Sequence, residues 1–86
     1  MAYSIIISDS ALKQLEKIPK AQGKKIEKSI DELSENPRPA GVKKLKGFKE
    51  DFYRVRVGDY RIVYSINDEI KIVDVRKIGH RKDIYL

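Results

Sequence analysis

Three arginines on two neighbouring predicted strands are the side chains best suited to chemistry in this sequence. The strands span residues 52–57 and 60–66, and a Gly-Asp turn pair separates them. Because strand side chains alternate between faces, Arg54 and Arg56 share one face, and Arg61 joins them if the aliphatic side chains of its strand face the core. Planar guanidinium groups match phosphate oxygens, so this face is a predicted anion site. A solvated, charge-rich sheet face is the simpler alternative.

The C-terminal segment, residues 79–86, adds groups that could take part in the same reaction. RNA carries its own nucleophile, the 2′-hydroxyl, so arginines and a tyrosine can cleave it without a metal ion. A phenol ordinarily titrates at about 10, but neighbouring cations favour the phenolate and lower its pKa. On its own, the segment is more typical of a packing tyrosine and a surface histidine. Its polar side chains include His80, Arg81, Lys82 and Tyr85.

The composition excludes several other chemistries. The 86 residues contain no cysteine and one histidine, which removes disulfides, thiolate metal sites and cysteine nucleophiles. The carboxylates are dispersed, mostly beside lysines, and there is no Gly-rich phosphate loop. A chain of this length predicts a single domain, residues 1–86, which is too small for a large buried cofactor pocket. We therefore expect neither a metal nor a cofactor.

The net charge of +6 lies mostly in the second half of the chain. Residues 43–86 hold twelve Lys/Arg and seven Asp/Glu, whereas residues 1–42 hold seven and six. A field of this sign attracts polyanions such as nucleic acid or acidic peptides, although solubility alone also explains a basic surface. No apolar run approaches the roughly 18 residues of a membrane span. The chain is therefore expected to be soluble and cytoplasmic, without a membrane partner.

The hydrophobic pattern predicts an α+β fold with the element order β-α-α-β-β-β. A first strand is predicted over residues 3–8, and the pair Ser8-Asp9 can cap the helix that follows. Apolar residues recur at helical spacing on either side of Pro19, which predicts two amphipathic helices. Residues 40–50 are predicted as a basic connecting loop, and three strands with short links follow, the last over residues 70–77. The two helices should pack on one face of a mainly antiparallel sheet.

Motifs along nearly the whole chain resemble the RelE branch of the RelE/ParE toxin superfamily. Two of them are fairly specific together, the Gly-Asp-Tyr-Arg-Ile-Val-Tyr string and the Gly-His-Arg-x-x-x-Tyr tail. The resemblance implies a RelE-like fold and a toxin that cleaves mRNA in the ribosomal A site. The motifs are Ala11-Leu12-Lys13, Asn36-Pro37-Arg38, Leu45-Lys46-Gly47, Tyr53-Arg54-Val55-Arg56-Val57, Gly58-Asp59-Tyr60-Arg61-Ile62-Val63-Tyr64 and residues 75–85.

The same resemblance implies roles for individual residues. Arg54 and Arg56 match two basic residues that hold phosphate and offset transition-state charge, and Arg61 matches an arginine with the same role. Arg81 matches a residue associated with transition-state stabilisation and leaving-group protonation, while the terminal tyrosine matches the general base. A histidine ordinarily titrates at about 6.5, so it is an alternative acid or base. The candidates for proton transfer are Tyr85, His80 and Lys82, and the predicted RNA-binding lysines are Lys43, Lys44, Lys46, Lys49, Lys77 and Lys82.

The expected partners follow from the resemblance and from the charge. A basic groove attracts an acidic segment of a cognate antitoxin, and such a complex would bind operator DNA only through the antitoxin. The ribosome and mRNA complete the expected partners. Three alternatives stay open: a ParE-like toxin that inhibits DNA gyrase without cleaving RNA, a non-catalytic RNA-binding domain, and a scaffold. A supercoiling assay beside a translation assay separates the first alternative from a nuclease.

Overall fold

Two helices and five strands make up the part of the chain that the structure describes, residues 2–45 and 51–82 of a computed structural model. Within this part, no helix is long and apolar enough to cross a membrane. The elements are β1 (Ser4–Ile7), α1 (Asp9–Lys17), α2 (Lys20–Glu35), β2 (Lys43–Leu45), β3 (Phe52–Val57), β4 (Tyr60–Asn67) and β5 (Ile72–His80).

Local signals fix where each helix begins. The Ser8 hydroxyl accepts a hydrogen bond from the N–H of Ala11 at 3.1 Å, which caps α1 and satisfies one of its free N–H groups. α1 ends at Lys17, because Pro19 two residues later cannot continue the hydrogen-bonding pattern. Pro19 instead occupies the N-cap position of α2, where its missing N–H costs nothing. The two-helix prediction is therefore confirmed, with Pro19 as the boundary.

The five described strands form one sheet in the order β1-β5-β4-β3-β2. β1 pairs in parallel with β5, and the other neighbours are antiparallel, as their short links require. α1 packs against β5, and α2 packs against β1 and β3. The predicted α+β fold, with both helices on one face of a mainly antiparallel sheet, is confirmed.

The structure contains one strand that the sequence did not predict, and it places β5 further along the chain than expected. Lys43–Leu45 form an edge strand paired with β3, although residues 40–50 were expected to form a connecting loop. A strand of three residues is too short to leave a periodic pattern in the sequence. β5 begins at Ile72, because Lys71, with a φ of 55°, belongs to the preceding turn. The strand then continues to His80, three residues beyond its expected end.

The hydrophobic core lies between the helices and the sheet face beneath them. Ile26, Ile30 and Leu33, spaced i, i+4 and i+7 on α2, are buried as their pattern predicted. Tyr64 is fully buried, its hydroxyl donates to the carbonyl of Pro37 at 2.7 Å, and burial raises its pKa. Each buried aliphatic side chain contributes about 1.5–3 kcal/mol, so this layer holds the sheet in place. The core also includes Ala11, Tyr53, Val55, Ile62, Val73, Val75 and Ile78.

A polar network ties the loop after α2 to the turn between β4 and β5. The Arg38 guanidinium makes two hydrogen bonds to the Asp68 carboxylate, at 3.2 and 3.0 Å, and lies 5.3 Å from the ring centroid of Tyr53. The Tyr3 hydroxyl donates to the same carboxylate at 2.7 Å. The hydrogen bonds from Arg38 and Tyr3 lower the pKa of Asp68 to about 2. The network fixes the end of β4 that is opposite to Arg61.

Candidate anion-binding site

Strands β3 and β4 carry three arginines on the sheet face that neither helix covers, which we call the open face. Tyr53 and Val55 on β3 are buried in the core, so strand alternation turns Arg54 and Arg56 to the open face. Arg56 stands directly opposite Arg61 in the antiparallel register. The alternation expected from the sequence therefore places all three guanidinium groups on one face.

A β-bulge in β5 changes which of its side chains reach the open face. Val63 on β4 pairs with Lys77, but the next residue, Tyr64, pairs with Val75. The register therefore skips Arg76, which is the extra residue of the bulge. Side chains beyond the bulge therefore lie on the opposite face from the one that uninterrupted alternation would give.

The bulge brings Arg81 to the other arginines. Beyond it, Gly79 stands opposite Arg61 on the open face, and Arg81 follows two residues later. The backbone N–H of Arg81 donates to the carbonyl of Asp59 at 2.8 Å, which anchors the chain after β5 against the turn between β3 and β4. The positive charge of Arg81 is close enough to lower the pKa of Arg61.

Arg61 lies at the centre of the group formed by Arg54, Arg56, Arg61 and Arg81, which we call the arginine cluster. Desolvation lowers the pKa of Arg61, and the charges of Arg56, Arg54 and Arg81 lower it further, in that order. Its Nη1 donates to the carbonyl of Tyr60 at 3.2 Å. Like charges this close repel one another until an anion neutralises them. The arrangement therefore favours binding of a phosphate.

The arginine cluster forms no salt bridge within the described residues, and the Asp59 carboxylate offsets only part of the lowering of the Arg61 pKa. None of the ion pairs formed among residues 2–45 and 51–82 includes one of its guanidinium groups. The Nε of Arg54 is buried and has no hydrogen-bond partner in this part of the chain. An unsatisfied buried donor costs about 1–3 kcal/mol, which a hydrogen bond to a phosphate oxygen would offset.

The lysines predicted to bind RNA do not all share the open face. Lys43 and Lys77 lie on the open face, because Lys43 stands opposite Arg54 and Lys77 stands opposite Val63 in the sheet register. Lys44 is turned to the helix side by strand alternation and forms an ion pair with Asp51 at 3.2 Å. Lys82 is exposed and directly follows the arginine cluster in sequence. The predicted residues Lys46, Lys49 and Tyr85 lie outside the described part of the chain.

His80, the sequence-based alternative to Tyr85 for proton transfer, does not lie beside the arginines. It pairs with Tyr60 in the register, and the two rings meet edge to face with their centroids 5.7 Å apart. Tyr60 packs against the core on the helix side. Because His80 directly follows Gly79, which stands on the open face, alternation turns the imidazole away from the arginine cluster. Direct proton transfer by this imidazole within the cluster therefore has no geometric support.

The turn between β3 and β4 supplies two groups that the sequence analysis did not identify. The carbonyl of Gly58 accepts from Arg61 Nη1 at 3.5 Å, and the carbonyl of Asp59 accepts from the backbone of Arg81. Gly58 has a φ of 59°, in the left-handed region that favours glycine. The Gly-Asp pair in the sequence indicated the turn, but no sequence signal shows that its carbonyls face the cluster.

The chemistry that this site can perform is electrostatic. Within the described residues, no group of three His, Asp or Glu side chains is placed to hold a metal ion. Guanidinium groups can bind a phosphodiester in fixed geometry and neutralise charge that develops on it during a reaction. Such a site suits phosphoryl transfer in which the substrate supplies its own nucleophile.

Comparisons with known proteins identify the relatives of this chain. The family model for the ParE toxin of the type II toxin–antitoxin system, parDE, matches residues 5–85. Toxin RelE3 of Methanocaldococcus jannaschii is 34% identical over 94% of this chain and 93% of its own length. The mRNA interferase toxin RelE of Escherichia coli K12 is 31% identical over 95% of this chain and 86% of its own length. In the crystal structure of the archaeal RelE–RelB complex from Pyrococcus horikoshii OT3, a chain with 34% identity has a TM-score of 0.84, over 98% of this chain and 100% of its own length.

Proposed function

Because the chain belongs to the RelE-type toxins of type II toxin–antitoxin systems, we propose that it is an endoribonuclease that cleaves mRNA in the ribosomal A site. The observation that carries this proposal is the arginine cluster on the open face, none of whose guanidinium groups forms a salt bridge among the described residues. A scaffold would have no use for four guanidinium groups that repel one another, whereas a phosphodiester would neutralise them. The name of the E. coli relative, an mRNA interferase, supports the same class of substrate.

The proposed reaction needs no metal, because the RNA supplies the nucleophile. The 2′-oxygen attacks the adjacent phosphorus, and the new O–P bond forms as the bond to the 5′-oxygen breaks. The products carry a 2′,3′-cyclic phosphate and a 5′-hydroxyl. Arg54 and Arg56 hold the phosphate, and Arg61 offsets the charge of the phosphorane-like transition state. Arg81 adds to that stabilisation and donates a proton to the leaving 5′-oxygen, which becomes the 5′-hydroxyl, and the guanidinium then regains a proton from solvent.

A base must remove the 2′-proton, and Tyr85 is the proposed base. The cations of the arginine cluster would favour its phenolate and lower its pKa when it approaches them. Lys82, one residue beyond the cluster, is the alternative. The placement of His80 on the helix side argues against an imidazole in this step.

We also propose that a cognate antitoxin inhibits the protein in the cytoplasm. A relative of this chain forms a RelE–RelB complex. The basic open face should attract an acidic segment of such a partner, which would block the phosphate site. Ion pairing of this kind weakens with salt, so calorimetry should show tight binding that falls as ionic strength rises. Operator DNA would be bound only through the antitoxin.

The direct test of the nuclease proposal is primer extension on mRNA in a reconstituted translation system. The wild-type protein should cut within the A-site codon of ribosome-bound mRNA and should cut naked RNA far more slowly. A 2′-deoxy nucleotide on the 5′ side of the scissile phosphate should abolish cleavage, because it removes the nucleophile. Equal cleavage of naked and ribosome-bound RNA would refute ribosome dependence, and cleavage of the deoxy substrate would refute the mechanism.

Inhibition of DNA gyrase is the second candidate, since the matching family model is named for ParE. It predicts loss of supercoiling activity in the presence of the purified protein, with mRNA left intact. The arginine cluster favours the nuclease, because it groups the cations that phosphodiester cleavage needs. Both assays on the same preparation decide between the two functions.

A further inference from the structure

His80 makes a contact that links it to the chain that follows β5. Its Nδ1 accepts a hydrogen bond from the backbone N–H of Lys82 at 3.2 Å. The ring also meets Tyr60 edge to face, which holds the imidazole in one orientation. The acceptor on the ring and the donor two residues later form a closed turn, and Arg81 is the residue enclosed by it.

Two hydrogen bonds thus fix the backbone on either side of the Arg81 side chain. The N–H of Arg81 donates to the carbonyl of Asp59 at 2.8 Å, and the N–H of Lys82 donates to His80 Nδ1 at 3.2 Å. If the hydrogen bond from Lys82 to His80 were lost, only the bond from Arg81 to Asp59 would hold the backbone at this position. A misplacement of about 1 Å can cost about a hundredfold in rate when geometry limits a reaction.

We propose that His80 is a positioning residue, which acts from the helix side of the sheet by fixing the backbone that carries Arg81. The proposal rests on the proposed function, since it assigns Arg81 to the reaction. The imidazole faces Tyr60 and a shallow pocket on the helix side, lined also by Pro19, Gln22 and Lys25. It therefore acts through Arg81 and does not touch RNA.

Two substitutions separate the hydrogen bond from the ring. His80→Asn keeps an acceptor at the position of Nδ1 and can close the same turn, because asparagine commonly bonds the N–H two residues later. His80→Phe keeps a ring against Tyr60 but has no acceptor. Both variants lose the ability to transfer a proton.

The readouts are single-turnover cleavage of ribosome-bound mRNA, hydrogen exchange of the Lys82 amide by NMR, and thermal melting. His80→Phe should lower the rate at saturation about tenfold, as loss of one hydrogen bond would, while the half-saturating concentration stays within about twofold. The Lys82 amide should lose its protection in this variant. His80→Asn should stay within about threefold of the wild-type rate and keep the amide protected.

Three outcomes would overturn the proposal. A loss of about a hundredfold or more in both variants would show that the imidazole transfers a proton. Unchanged rates in both would show that the turn is irrelevant to Arg81. The cleavage rate could instead fall more in His80→Asn than in His80→Phe, with each loss of rate following the drop in that variant's melting temperature. This result would show that the ring acts only by packing on Tyr60. If the wild-type protein does not cleave mRNA, the nuclease proposal fails, and the Lys82 amide still decides whether His80 holds this backbone.

Discussion

Replacing Arg61 by glutamine is expected to stabilise the free protein and to impair its activity. Arg56 stands directly opposite Arg61 in the sheet. Desolvation and the charges of Arg56, Arg54 and Arg81 lower the pKa of Arg61, and the Asp59 carboxylate offsets a smaller part of this effect. Like charges directly opposite one another destabilise a strand pair by up to about 1 kcal/mol, and solvent screening reduces the contribution of more distant charges. The contact of Arg61 with the Tyr60 carbonyl opposes this gain only weakly, because glutamine and water can replace it.

A gain of about 1 kcal/mol corresponds to a rise of about 4–8 °C in melting temperature for a domain of this size. Calorimetry should be carried out at ionic strengths of about 0.02 M and about 0.5 M, because screening at the higher value should remove most of the rise. Lys28→Gln is the matched control, since it removes the same charge from the outer surface of α2. Lys28 has Asp31 and Glu32 three and four residues later, so its loss should not stabilise the helix. A melting temperature of Arg61→Gln at or below that of wild type in low salt would refute the proposed repulsion.

Three further predictions concern the fold that supports the site. Tyr64→Phe leaves the buried Pro37 carbonyl without its donor and should destabilise the protein by about 1–3 kcal/mol in urea unfolding; an unchanged midpoint would contradict this. The low pKa of Asp68, about 2, contributes stability above its unfolded value that is lost as pH falls from about 4 towards 2, and Asp68→Asn should flatten this fall in urea titrations. Ile26→Ala should cost about 2–5 kcal/mol because its side chain is fully buried, whereas Leu12→Ala, 42% exposed, should cost much less; equal costs would contradict the assigned core.

The sequence was sufficient to predict which face of β3 carries the arginines. Strand side chains alternate, so knowing which side chains of β3 face the core is enough to assign the others to the open face. Tyr53 and Val55 face the core, because apolar side chains pack against the helices. The same argument placed Arg61 on the open face through the buried side chain of Ile62. Local pattern therefore determined three members of the arginine cluster.

The placement of Arg81 and His80 could not be predicted in this way, because it depends on the bulge in β5. An extra residue reverses the alternation of everything that follows, and a bulge is set by pairing with a distant strand. One sequence signal was available: the buried residues Val73, Val75 and Ile78 are spaced by two and then by three. Such spacing is ambiguous until the strand partner is known. The histidine was proposed as an acid or base on its ordinary pKa alone, which says nothing about the face on which it lies.

The central claim, that the open face binds and cleaves one phosphodiester, is tested most directly by single-turnover cleavage of ribosome-bound mRNA with arginine variants. Arg61→Ala and Arg81→Ala should each lower the cleavage rate at saturation by at least about a hundredfold, with melting temperatures close to or above that of wild type. Lys28→Ala, on the far side of the protein, should leave the rate unchanged. Rates for Arg61→Ala and Arg81→Ala that match Lys28→Ala would contradict the claim.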